Sequence, residues 1–122
     1  MTKLFFGLAA LLGFLGVALG AFGAHALKAR LSGEMLAVYQ TGVQYHLIHA
    51  LALGLAAVAI ERWPHVAAVA AGWLFLAGIV LFSGSLYALA TSGITKLGMI
   101  TPLGGLCFLA GWAALAWTAL RA

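Results

Sequence analysis

The chain has 122 residues, of which 66% are hydrophobic and only 7% are charged. Soluble domains carry roughly 25% charged residues, so this composition excludes an ordinary soluble domain and indicates an integral membrane protein. The net charge is +4. Because the cationic residues stand singly between apolar blocks, they indicate contact with lipid rather than with nucleic acid.

Four apolar segments follow one another along the chain, at about residues 4–27, 38–60, 67–90 and 101–120. A helix rises about 1.5 Å per residue, so each segment is long enough to cross a hydrocarbon core of about 30 Å. Short links force consecutive segments to run antiparallel. We therefore predict an all-α membrane protein with a single membrane domain, residues 1–122. Its four transmembrane helices form an up-down-up-down bundle with both termini on the same side.

The first segment also carries features of a secretory signal peptide. Lys3 precedes the apolar run, and the "AHA" at residues 24–26 matches an A-x-A cleavage site. However, the run from residue 4 to residue 27 is longer than the roughly 7–15 apolar residues of a signal peptide. We therefore expect the segment to be retained as a membrane span.

Glycines repeat along this first segment. Gly13, Gly16, Gly20 and Gly23 form a stripe that includes one G-x-x-x-G pattern. Such a stripe lets two helix backbones approach closely. It predicts helix packing, either within the bundle or against a second copy of the chain.

The most informative feature is the position of the uncharged polar residues. If the spans alternate in direction, nearly all of these residues fall in the half of the bundle next to the first and third links. The candidates for a polar site are His25, Thr41, Tyr45, His46, His49, Ser83, Ser85, Tyr87 and Thr101. We predict that they line a polar funnel that descends from this surface to His49.

His49 lies near the centre of the second segment, at the depth of the bilayer midplane. Ionisable residues at this depth are costly and are functional candidates. A neutral imidazole bonded to Tyr45 or to a serine would equally serve as a structural tie between helices. Under either interpretation, we expect His49 to be neutral at pH 7 and hydrogen-bonded across the bundle.

Several other polar residues have structural interpretations. Thr101 and Pro102 are typical of a helix N-cap followed by proline at the first helical position. Tyr87 is typical of an anchor at the membrane interface. His65, beside a proline, is interpreted as a solvated loop residue.

Metal, haem and enzymatic chemistry receive little support. The histidines lack metal-binding spacing, and the two acidic residues, Glu34 and Glu61, lie in loops. The single cysteine, Cys107, cannot form a disulfide within the chain. We therefore expect no metal and no cofactor. An enzyme ranks third among the functional classes, because only histidine and tyrosine are available for proton transfer.

Five segments carry a resemblance to a known family: GAFGAH at 20–25, YQTGVQYHLIHALAL at 39–53, LFSGSLY at 81–87, ITPLGG at 100–105 and GW at 111–112. The chain resembles the small bacterial membrane proteins classed as domain of unknown function 423, also called UPF0382, with a mitochondrial relative, transmembrane protein 256. The resemblance implies a four-span inner-membrane protein of unassigned biochemical function. The family's recurrent polar positions correspond here to His25, Tyr45, His49, Ser83, Ser85, Tyr87 and Thr101, whereas His46 is less characteristic.

The favoured function is that of a small, non-enzymatic, multi-pass protein of the bacterial inner (plasma) membrane. Its polar half would bind a small or amphipathic ligand, or a helix of a partner membrane protein. The alternative is a channel or transporter component. One subunit lacks a polar path through its second half, so conduction would require a homo-oligomer. The expected surroundings are the lipid bilayer and no nucleic acid.

Overall fold

A computed structural model describes residues 1–122 and contains four long helices. The helices are α1 (Thr2–Leu27), α2 (Gly33–Arg62), α3 (Val66–Ser92) and α4 (Thr101–Leu120). A 3₁₀ turn at Thr95–Met99 leads into α4. Each of the four spans is long and apolar enough to cross a membrane. The predicted all-α class with four transmembrane helices is therefore confirmed.

Capping residues set where the middle helices begin and end. Ser32 Oγ accepts the N–H of Met35 at 3.1 Å, so α2 begins at the residue after Ser32. His65 lies in the link and is partly exposed, and its Nδ1 also accepts the N–H of Ala67 at 2.9 Å, so that it caps the start of α3. Helix α3 ends at Ser92 and is followed by Gly93, whose φ of 74° lies in the left-handed region that favours glycine.

The four helices form an antiparallel bundle in which α2 and α3 are central. Helix α1 packs chiefly against α2, and α4 packs chiefly against α3. Both termini lie beside the link between α2 and α3, because Thr2 shares a surface crevice with Arg62 and Ala122 shares another with Trp63. We call the half next to the termini the lower half. The half next to the links at residues 28–32 and 93–100 is the upper half.

The core of the lower half is built from phenylalanine and alanine. A cluster around Phe5, Leu53 and Phe75 contains no polar side chain. The Phe5 ring occupies the space above Gly72, where a Cβ would overlap it, and meets Trp73 edge-on at 5.1 Å. Alanines fill the rest of the α2–α3 contact and let the two backbones approach closely.

Glycines of α1 set its distance from α2. Gly16, Gly20 and Gly23 all face α2, where an added Cβ would come within 2.7 Å or less of a side chain. An added Cβ on Gly13 would meet nothing within 4 Å. Gly16, Gly20 and Gly23 thus pack within the chain, whereas Gly13 takes no part in this contact.

Two helices contain a π-helical turn. The turns cover Ala18–Gly23 in α1 and Ile79–Ser83 in α3. In the first, the N–H of Ala24 donates to the carbonyl of Leu19, five residues earlier. Both turns lie in the upper half, and π-turns are rare features that often accompany functional sites.

Candidate functional site

The nine polar residues predicted to line one funnel lie at separate places in the bundle. They form three pairs and three isolated positions: His46 and Tyr87; Tyr45 and His49; Ser85 and Thr101; Ser83; His25; and Thr41. The structure does not join them into one continuous cavity. Their hydrogen bonds run mostly to each other and to backbone carbonyl groups.

The first pair ties three helices together around His46. Its Nε2 donates to the carbonyl of Leu12 in α1 at 2.8 Å. Its Nδ1 lies 2.8 Å from the hydroxyl of Tyr87 in α3. A neutral ring that donates through Nε2 and accepts from Tyr87 satisfies both partners. The residue that the resemblance marked as less characteristic is thus the centre of a three-helix contact.

A second contact of the same kind lies two helical turns away. The hydroxyl of Tyr39 donates to the carbonyl of Leu19 at 2.5 Å. The donors Tyr39 and His46 are seven residues apart, and so are the residues whose carbonyls accept, Leu19 and Leu12.

A glycine follows each acceptor by four residues. An added Cβ on Gly16 would crowd the ring of His46, and an added Cβ on Gly23 would crowd the ring of Tyr39. The glycines therefore open two carbonyl groups of α1 to side chains of α2.

Ser83 and Ser85 fasten α3 to its neighbours. Ser83 is fully buried, and its hydroxyl donates to the carbonyl of Gly42 in α2 at 2.7 Å. Ser85 Oγ donates to the carbonyl of Phe82 and lies 2.6 Å from Thr101 Oγ1. Helix α4 begins after Ile100 with no side-chain cap. The interpretation of Thr101 as an N-cap is therefore wrong, because its hydroxyl bonds Ser85 instead.

His49 faces α4 and is buried, with only 4% of its surface exposed. Its Nδ1 lies 2.7 Å from the carbonyl of Tyr45, and the indole N–H of Trp112 donates to its Nε2 at 3.0 Å. A carbonyl can only accept and an indole N–H can only donate, so the ring is neutral with its proton on Nδ1. The predicted cross-bundle hydrogen bond is present, and its partner is Trp112 rather than Tyr45 or a serine.

Aromatic rings surround His49 and form a groove between α2 and α4. The Phe108 ring stacks on His49 with 3.5 Å between centroids and 10° between planes. The groove has a volume of about 590 Å³. We call it the aromatic groove, and its main lining residues are Tyr45, His49, Phe82, Gly105, Phe108 and Trp112. It opens toward lipid, because Leu109 at its edge is 68% exposed.

Tyr45 supplies the free polar group of this groove. Its side chain is 39% exposed. Its ring packs against Phe82 at 4.6 Å and lies nearly parallel to that of His49. The hydroxyls of Tyr39 and Tyr87 are both bonded within the chain, whereas that of Tyr45 has no partner there. An unpaired hydroxyl beside an apolar groove can bond the polar end of a bound molecule.

The last two predicted residues lie apart from these pairs. His25 lines a separate crevice between α1 and α2, together with Lys28 and Gln40. Thr41 is exposed and donates only to the carbonyl of Ala37 in its own helix, at 3.0 Å. No three His, Cys, Asp or Glu side chains lie close enough to share a metal ion.

Sequence reasoning missed the aromatic side of the site. Phe108 and Trp112 are absent from the predicted site, although they lie four residues apart and therefore share one face of α4. Tyr39, seven residues before His46, is absent from it as well. In both cases helical spacing was the available signal.

We expect His49→Leu to lower the free energy of unfolding by about 1 kcal/mol, since membrane hydrogen bonds contribute this much or less. His49→Gln should be nearly neutral, because its amide oxygen can still accept from Trp112. Thermal unfolding of the purified variants in one detergent measures both effects. Trp112→Phe is the matched control, which keeps a ring and removes the donor. Equal destabilisation by His49→Gln and His49→Leu would contradict the assigned role of the Trp112 hydrogen bond.

These features define a small multi-pass membrane protein that consists of one four-helix bundle. Residues 19–105 match the family model described as "Protein of unknown function (DUF423)". The chain belongs to this family, as its motifs indicated.

Named relatives are bacterial membrane proteins. The chain is 50% identical over 111 residues to "UPF0382 membrane protein YwdK" of Bacillus subtilis (strain 168), covering 90% of each chain. It is 46% identical over 118 residues to "UPF0382 inner membrane protein YgdD" of Escherichia coli (strain K12), covering 93% of this chain and 86% of the relative. No solved structure matches the chain. The predicted localisation as a multi-pass membrane protein is confirmed.

Proposed function

We propose that this chain is a non-enzymatic membrane protein that binds an amphipathic molecule from the bilayer in the aromatic groove. The observation that carries the proposal is the combination of a lipid-facing groove of about 590 Å³ with the unpaired hydroxyl of Tyr45 at its wall. Binding sites for small molecules typically have such volumes, with mostly apolar walls and a few placed polar groups.

The hydrogen bonds of the two buried histidines argue against catalysis. Both ring nitrogens of His46 and both of His49 are bonded to groups of the chain itself. A general acid or base must reach the proton that it transfers. His49 therefore shapes the wall of the groove, while the polar contact with a ligand falls to Tyr45.

The lining of the groove favours a small molecule over a partner helix. Helices associate in membranes through small residues that let their backbones approach. The groove has one small residue, Gly105, among the aromatic walls of Tyr45, Phe82, Phe108 and Trp112, and on α2 it extends only from Tyr45 to His49. An acyl chain or a flat apolar ring fits between such side chains without a long contact surface.

The alternative function, a component of an oligomeric channel or transporter, has less support within one chain. The lower half is closed by the apolar cluster around Phe5, Leu53 and Phe75. A path would have to form between copies of the chain.

Filling the groove should remove its ligand. Gly105 lines the groove, and an added Cβ would meet only Phe82 Cδ2, at 4.0 Å. We therefore expect Gly105→Leu to fold and to lose retained amphipathic molecules. Organic extraction of the detergent-purified protein, followed by mass spectrometry, measures retained molecules per chain. Gly13→Leu is the matched control, because it adds the same side chain at a position with no neighbour within 4 Å.

A second variant shows whether the loss in Gly105→Leu comes from filling the groove or from a packing defect. Leu109→Trp fills the groove from its exposed edge and should cause the same loss. Equal amounts of retained molecules in the original chain, Gly105→Leu and Leu109→Trp would overturn the proposal.

A further inference from the structure

A crevice of about 540 Å³ lies between the end of α1 and the first turns of α2, away from the aromatic groove. His25 and Lys28 are three residues apart and share a face of α1. Leu36 and Gln40 are four residues apart and share a face of α2. These four side chains line the crevice together with Phe22, and no acidic residue takes part.

The crevice is polar at one end and apolar at the other. Lys28 and His25 provide donors, and Lys28 carries a positive charge. Phe22 is 76% exposed, so its ring is presented to lipid beside them. The crevice lies where the apolar segment of α1 gives way to the charged link, at the depth where lipid head groups meet acyl chains.

The π turn of α1 contributes to this geometry. Gly20, Ala21 and Phe22 belong both to the turn at Ala18–Gly23 and to the lining of the crevice. No carboxylate lines the crevice, so the ammonium group of Lys28 has no acidic partner there and can meet an external anion.

We propose that this crevice binds the phosphate group of an anionic phospholipid. Lys28 and His25 donate to the phosphate oxygens, and Gln40 adds a neutral donor from α2. Phe22 and Leu36 contact the first methylene groups of an acyl chain, which free phosphate lacks. The site uses α1 and α2, so it is independent of the groove between α2 and α4.

Native mass spectrometry in a mild detergent tests the site with phosphatidylglycerol and phosphatidylcholine as probes. The original chain should retain phosphatidylglycerol in preference to phosphatidylcholine. Lys28→Gln should weaken retention of phosphatidylglycerol about fivefold, as expected for one lysine near a lipid surface. Lys96→Gln is the matched control, because it removes the same charge from a link on the same side of the membrane and lies outside the crevice. It should retain phosphatidylglycerol like the original chain.

His25→Gln provides a second variant, with a smaller expected loss. Equal weakening by Lys28→Gln and Lys96→Gln would overturn the proposal, since it would show attraction by net charge alone. Retention of inorganic phosphate without retention of phosphatidylglycerol would overturn the assignment to lipid. Gly105→Leu should leave phosphatidylglycerol retention unchanged, which separates failure of this site from failure of the aromatic groove.

Discussion

Gly104→Ala should destabilise the bundle by about 3 kcal/mol, the upper end of the range for overpacked interiors. A Cβ on Gly104 would overlap the backbone nitrogen of Phe82 and lie 2.7 Å from its Cα. A backbone cannot rotate aside as a side chain can. Phe82 is also held within the π turn of α3. Helices α3 and α4 would therefore have to move apart along their main contact.

The neighbouring glycine provides the control. A Cβ on Gly105 would meet only Phe82 Cδ2, at 4.0 Å. Gly105→Ala should therefore be neutral or slightly stabilising, because alanine is the better helix former. Thermal unfolding of both variants in the same detergent gives the comparison. Similar midpoints for Gly104→Ala and Gly105→Ala would show that the close contact with Phe82 is absent from the folded protein.

His46→Leu should destabilise the protein by about 2 kcal/mol, since two cross-helix hydrogen bonds of the strength measured in membranes are lost together. Leucine leaves the Tyr87 hydroxyl without its partner and removes the donor to the Leu12 carbonyl. His46→Gln can restore one bond and should recover part of the loss. Unfolding in increasing sodium dodecyl sulfate measures each free energy.

A double-mutant cycle isolates the contact between His46 and Tyr87. Tyr87→Phe alone should cost less than His46→Leu, because only one hydrogen bond disappears. In the His46→Leu background, Tyr87→Phe should cost nothing further, since the hydroxyl has already lost its partner. Strictly additive losses in the double variant would refute the coupling.

The fold could be predicted because membrane helices follow from composition and length. Apolar segments long enough to cross lipid, joined by short links, leave few arrangements other than an antiparallel bundle. The depth of each side chain in the membrane could also be predicted, because it follows from the helical rise per residue. Thus Ser83, Ser85, Tyr87 and His46 could be placed in one half before any contact was known.

The direction in which each side chain points could not be predicted in the same way. Helical periodicity puts Gly42, Tyr45 and His49 on one arc of α2, which contains no π turn, but it does not show which helix each of them meets. In the structure Gly42 faces Tyr87 of α3, Tyr45 lies between Phe82 of α3 and Phe108 of α4, and His49 bonds Trp112 of α4. Two π turns change the register in α1 and α3, and no residue pattern in the sequence announced them.

Backbone acceptors are the second reason why the site differs from the funnel. Sequence patterns show which side chains are polar, but they do not show which carbonyl groups are exposed inside the bundle. Tyr39, His46 and Ser83 all donate to such carbonyls. Two of these contacts depend on Gly16 and Gly23, for which the sequence predicted only close packing of helices.

The π turn of α1 holds one residue more than a regular helical stretch, since the N–H of Ala24 donates to the carbonyl five residues earlier. One residue turns a helix by about 100°. Loss of a single residue would convert the turn to regular α geometry and leave enough apolar length to cross the membrane. Because the π turn already absorbs that one residue, His25 and Lys28 would still face α2 after the deletion. A one-residue deletion within Thr2–Val17, where no such turn absorbs it, would instead rotate both basic side chains by about 100° relative to the start of α1.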